Sequence, residues 1–132
     1  MAPDLLTDSL STGVPVEEEA ATYCLADKSC VPCAGGVPPL TAREIAPMAA
    51  ELSEYWTVID NHHLEAQFEF ADFAAALAAT NKLGAIAEEQ WHHPDLLVAW
   101  GKLGVTLWTH KIDGLSEADF VLAAKFDRAL TE

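Results

Sequence analysis

Cations are scarce in this chain: Lys and Arg total 7 against 21 Asp and Glu among 132 residues, a formal net charge of −14. Nucleic acid and anionic membranes are bound by clustered cations, so this balance argues against both as partners. Long apolar runs are missing too. None approaches the roughly 20 residues of a membrane span, and no basic stretch followed by an apolar one opens the sequence, so no secretory leader is expected. Cysteines number only three. Cys24, Cys30 and Cys33, with His62-His63, could complete a tetrahedral metal site, but a single Cys-x-x-Cys falls well short of two paired knuckles. The plainer reading is reduced thiols in an extended leader and two histidines on an exposed hairpin turn. With 51% hydrophobic residues, the chain is no disordered acidic tail. It reads as a cytoplasmic domain with one modest core.

The acidity is unevenly spread. Residues 1–90 hold fifteen acids against three bases, whereas residues 91–132 hold six against four: Lys102, Lys111, Lys125 and Arg128. Any patch for an anionic or electron-rich ligand is most easily built in that last third. Residues 1–40 have no helical or alternating apolar period. They contain five prolines, three glycines and the run Glu17-Glu18-Glu19, the mark of an extended arm that could order against a partner. The body is expected over 41–132.

Thr41 and Glu44 have capping-box spacing, and Ile45, Met48, Ala49 and Leu52 follow as one apolar stripe. Pro47 counts against that helix or kinks it. Tyr55–Ile59 reads as a strand, Asp60-Asn61 as a turn, and the alternation of Leu64, Ala66, Phe68 and Phe70 as its partner strand. From Asp72 the period becomes helical, with Phe73, Ala76, Leu77, Thr80, Leu83 and Ala87 as the core stripe. That helix ends near Trp91, because Pro94 disfavours helical backbone at His93. Leu96–Trp100 and Leu103–His110 form a second hairpin around Gly101-Lys102, and Lys111–Gly114 a loop. In the return strand Leu103, Val105 and Leu107 share one face. Ser116 caps a last helix carrying Asp119, Phe120, Ala123, Ala124, Asp127 and Leu130. The order predicts an α+β fold, α-β-β-α-β-β-α, with a four-stranded, mainly antiparallel sheet and helices on one face. The other face would stay bare, which suits a homo-oligomer.

Chemistry concentrates at Glu88, His92, His93, His110 and Asp119, which fall at a helix end, a loop, a strand end and a helix start, where side chains converge on cleft edges. Imidazoles donate and accept protons near neutrality, and several of them with supporting carboxylates suit an elimination. Each residue also has a plain alternative: a surface histidine, a helix-terminus acid at Asp119, core or interface roles for Trp100 and Trp108. The full run Glu88-x3-His92-His93-Pro94-x5-Trp100-x9-His110-x8-Asp119 resembles the signature of the pterin-4a-carbinolamine dehydratases. So do the flanking Asp95-Leu96, Gly101-Lys102, Thr109, Gly114-Leu115-Ser116 and Phe120. Upstream, Cys30-x-x-Cys33-x-Gly35-Gly36-x-Pro38-Pro39-Leu40 is similar to a leader of bacterial members. The likeness spans about residues 28–130.

The resemblance implies the same element order, a dimer or tetramer, and dehydration of 4a-hydroxytetrahydropterin to quinonoid dihydropterin without metal or organic cofactor. It implies that His92 and His110 transfer protons, that His93 mainly holds the pterin, and that Glu88 and Asp119 orient imidazoles or bind ring nitrogens. Trp100 and Trp108 would help to bind. It also brings a non-catalytic alternative. One animal branch doubles as a transcription-factor dimerisation partner, and one bacterial branch, diverged at the catalytic positions, is a RuBisCO assembly factor of the α-carboxysome. The intact signature favours the enzyme, while the acidic arm is a candidate surface for a protein partner.

Overall fold

The computed structural model describes residues 24–31 and 35–131. Most of the N-terminal stretch, including the Glu17-Glu18-Glu19 run and Cys33, lies outside them. From Thr41 the elements are α1 (Ala42–Ala49), β1 (Trp56–Ile59), β2 (His63–Glu69), α2 (Phe73–Gln90), β3 (Asp95–Ala99), β4 (Lys102–Leu107) and α3 (Glu117–Leu130), with short 3-10 turns at Leu25–Asp27 and His110–Ile112. The expected α+β order holds. The sheet runs β1-β2-β4-β3 with every neighbouring pair antiparallel.

Local chemistry accounts for the element ends. Thr41 and Glu44 form the capping box reciprocally, and Pro47 lies inside a continuous but short α1. Asp60 and Asn61 both take left-handed backbone, and His62 N donates to Ile59 O at 2.8 Å. This is the primed turn whose twist matches an antiparallel hairpin. Gly101 reverses β3 into β4 at φ 72°, and a Cβ there would stand 3.1 Å from the Phe70 carbonyl oxygen. The N–H of Phe70 donates back to Gly101 O.

Alternation decides the core. Leu64, Ala66 and Phe68 from β2 meet Leu103, Val105 and Leu107 from β4 on the helix-covered face, all buried. Thr57, Glu65, Thr106 and Asp95 form a row across the other face. α3 is buried almost all round, through Phe120, Val121, Leu122 and Phe126, more than a single stripe predicts. Asp127, expected on that stripe, instead accepts from Ser53 N, Ser53 Oγ and Trp56 Nε1 and ties α3 to the start of β1.

Two expectations are corrected. Phe73 and Leu77 are exposed; the buried stripe of α2 is Ala76, Ala79, Leu83 and Ala87. At 3.6 residues per turn Leu77 stands roughly 120° around the helix from Leu83, off the stripe. The return strand stops at Leu107 rather than His110. Thr109 pairs with Gly114 across a tight loop, so His110 opens a 3-10 turn that Asp113 closes in left-handed backbone.

The segment preceding α1 packs on the body. Leu25, Ala26 and Cys30 are buried, Lys125 Nζ donates to Ala26 O, Arg128 pairs with Asp27, and Lys28 with Glu117. Two of the four late cations thus hold this segment. No helix of the described residues is long and apolar enough to cross a membrane.

Candidate active site

Pro94 ends α2, and the chain leaves it through an unusual corner. Trp91 caps the helix in left-handed backbone at φ 55°, ψ 44°, a conformation costly for a bulky residue. His92 N still donates back to Ala87 O, and the corner turns His92 and His93 toward the 3-10 turn bearing His110. The three histidines line one cleft of about 270 Å³ with Trp91, Trp108 and Lys111. That is just below the usual range for small-molecule pockets, about 300–1,000 Å³.

Each of the paired imidazoles has a carboxylate behind it. His92 Nε2 donates to Asp119 Oδ1 at 2.6 Å, and His93 Nε2 to Glu88 Oε1 at 2.9 Å. With Nε2–H committed, a neutral ring keeps Nδ1 as a proton acceptor. Glu88 and His93 are exposed. Asp119 is fully buried, and its other oxygen, Oδ2, accepts from Thr109 Oγ1 at 2.8 Å and Ser116 N at 2.9 Å. One carboxylate therefore closes the capping box of α3, anchors the loop before His110 and fixes His92. The same side chain is thus both the helix-terminus acid of α3 and the hydrogen-bond partner of the His92 ring.

His110 is exposed, and among the described residues its ring nitrogens have no protein hydrogen bond. Its ring lies against Trp108 with centroids 4.2 Å apart. The expected site residues divide accordingly. His92, His93, His110 and Trp108 come together, Glu88 and Asp119 support two of them, and Trp100 stands apart. Trp100 is an exposed residue at the β3–β4 turn, roughly 16 Å along β3 from the His-His end by strand rise.

Sequence reasoning missed Trp91, whose ring packs edge-on against His93 at 5.0 Å, and the leader residues Cys30 and Val31, which also line the cleft. The single-residue αL cap carries no sequence signal when it is not glycine. Cys30 N donates to Gln90 Oε1, and its thiol faces Ala118 O. Among the described residues no group of three or more His, Cys, Asp or Glu is arranged to hold a metal ion.

Burial pushes the Cys30 thiol from its ordinary 9.0 up to about 11; the Lys125 charge opposes this and the Asp119 charge adds to it. A folded state that holds the thiol protonated while the unfolded chain ionises loses stability as pH rises from 9 toward 11, because the unfolded state then binds fewer protons. Urea unfolding of wild type and Cys30→Ala between pH 8 and 11 checks this. The wild type should lose more stability than the variant above pH 9; parallel curves would contradict the assignment.

Residues 38–129 match the family model described as pterin 4 alpha carbinolamine dehydratase. A relative from Alkaliphilus metalliredigens is 54% identical over 108 residues, which is 82% of this chain and 97% of its own. Another, from Rubrobacter xylanophilus, is 54% identical over 104 residues, 79% of this chain and 96% of its own. Both are provisionally named pterin-4-alpha-carbinolamine dehydratase. A solved structure, a transcriptional coactivator/pterin dehydratase from Brucella melitensis, is similar at 30% identity with a TM-score of 0.63, over 68% of this chain and 96% of that one. With the family model spanning well over half of the chain and relatives above half identity across nearly their whole length, the chain belongs to the pterin-4a-carbinolamine dehydratase family.

Proposed function

We propose that the cleft dehydrates 4a-hydroxytetrahydropterin to quinonoid dihydropterin by histidine acid–base catalysis. The observation that carries this is the meeting of His92, His93 and His110 in one cleft, with the His92 ring held by a fully buried carboxylate. In the reaction the C4a–O bond breaks as the leaving oxygen takes a proton, and the N5–H bond breaks as its electron pair forms C4a=N5. Water leaves, and the proton count balances when one imidazole gives a proton and another takes one. His92 suits the base: Asp119 holds the tautomer that presents Nδ1 and stabilises the imidazolium once N5 is deprotonated, the logic of a carboxylate-backed histidine. His110, whose ring has no hydrogen bond to another of the described residues, suits the acid that protonates the departing hydroxyl. His93, backed by Glu88, holds the pterin ring beside the Trp108 indole.

The test is direct. Substrate generated by an aromatic amino-acid hydroxylase should be converted to quinonoid dihydropterin faster with this protein than by its spontaneous dehydration. Equal rates with and without protein would overturn the proposal. A homo-oligomer belongs to the same reading, supported by the exposed Phe73 and Leu77 on α2 and Tyr55 and Leu97 beside the bare sheet face. Light scattering of the purified chain should give a mass above that of one subunit.

A further inference from the structure

The β1–β2 turn carries two histidines for which the dehydration chemistry has no use. They lie at the expected turn, but neither is fully exposed: the side chains of His62 and His63 are 35% and 21% accessible. His62 Nε2 donates to Asp113 Oδ1 at 2.8 Å, the two Nδ1 atoms share a hydrogen bond at 3.0 Å, and His63 Nε2 stands 3.1 Å from Glu65 Oε2. Both rings also pack on Trp108, at centroid distances of 5.6 Å and 6.0 Å.

These contacts converge on His110 from two sides. Asp113 closes the 3-10 turn His110–Ile112, and its N–H donates to His110 O. Trp108 packs on the His110 ring at 4.2 Å. His62 therefore touches both the residue that ends the turn carrying His110 and the indole against which the His110 ring rests. A ring with no hydrogen bond of its own is oriented by what packs on it and by the backbone that bears it. Here both supports lead back to His62, which reaches Asp113 from 51 residues away in sequence.

We propose that His62 is a positioning residue for His110, acting through Asp113 and Trp108, with His63 and Glu65 steadying it from behind. The inference rests on the dehydratase reading of the cleft, in which His110 delivers a proton. Displacing a reacting group by about 1 Å can cost 10²-fold, and a loosened ring still visits its working position part of the time, so a smaller loss is expected.

The test is a cycle of His62→Ala, Asp113→Gly and the double variant, with His62→Gln as the conservative replacement. Glycine suits the left-handed backbone at 113, so that change removes the carboxylate without adding strain. Each single variant should lower kcat about tenfold, with KM moved by less than about twofold. The double variant should fall no further than His62→Ala, because that change already removes the Asp113 link along with the Trp108 contact. His62→Gln, whose amide can still donate to Asp113, should recover most of the loss. Wild-type kcat in both single variants, or losses that multiply in the double, would overturn the proposal.

A wild type that does not accelerate dehydration defeats the proposed function alone, and the brace is then read by NMR. The Trp108 ring current displaces the His110 ring protons, and in His62→Ala their shifts should move toward those of an unstructured histidine. Unchanged shifts would sink the brace whatever the activity.

Discussion

Replacing His92 or His110 by alanine is expected to lower kcat for 4a-hydroxytetrahydropterin dehydration about 10²–10⁴-fold, the range for losing one general acid or base. The two losses should fall mainly on kcat, since each group acts on a proton that moves only as the C4a–O bond breaks. His93→Ala, by contrast, should raise KM more than it lowers kcat if its main work is to hold the ring. The pattern is measured by stopped-flow absorbance across the three variants with unfolding curves as controls. A His110→Ala variant with wild-type kcat would remove His110 from proton transfer. A His92→Ala loss seen only in KM would reassign His92 to binding.

The second large effect is expected at Asp119, and two substitutions there separate stability from catalysis. Asp119→Ala removes the shared acceptor of His92 Nε2–H, Thr109 Oγ1–H and the Ser116 N–H, and of these the Thr109 hydroxyl has another acceptor at hand, Ser116 Oγ at 2.7 Å. Leaving a buried donor without its acceptor costs about 1–3 kcal/mol, a sizeable share of the roughly 5–15 kcal/mol that holds a domain folded. Urea unfolding should show that loss. Asp119→Asn keeps the shape, and the network dictates how its amide sits. Thr109 and Ser116 both donate to the Oδ2 position, so the amide oxygen must stay there and the NH₂ must face His92. Facing a donor, His92 Nε2 becomes an acceptor and the proton moves to Nδ1, which leaves the wrong tautomer to act as base. The asparagine variant should thus retain most of the stability yet lose activity on the scale of His92→Ala. An active Asp119→Asn enzyme would show that tautomer control by Asp119 is not part of the reaction.

The double duty of Asp119 also explains why the sequence makes the site only partly legible. Its position three residues after Ser116 marks a helix start in any protein, and its distance from His110 belongs to the family spacing. Neither observation tells that Oδ1 and Oδ2 are divided between a histidine ring and a helix cap. That division depends on Thr109 being drawn into the α3 capping box, which is a matter of loop path. The same loop path ends β4 three residues before the expected His110 and puts His110 on a 3-10 turn.

The residues without a periodic or spacing signature are the ones sequence reasoning leaves out. Trp91 takes an αL conformation that nothing in its side chain announces. Cys30 and Val31 join the cleft only because Gln90, Ala118, Lys125 and Arg128 hold the preceding segment against α2 and α3. His62 and His63, unremarkable at a hairpin turn, gain their partners from Asp113 and Trp108 far along the chain. Trp100 shows the reverse case. It fits the family spacing, yet the strand that separates it from His93 carries it away from the cleft.

By itself the sequence determined the element order, the two hairpins, the helix caps and the set of histidines and carboxylates on which the chemistry is proposed to rest. These follow from periodicities, turn chemistry and spacing that act within a few residues, and from a family signature of unusual length. Tertiary structure alone decided which carboxylate backs which imidazole, how the leader closes one wall of the cleft, and what packs around His110. Those are contacts between segments distant in the chain, and their geometry is set by how the helices settle on the sheet, which no local pattern records.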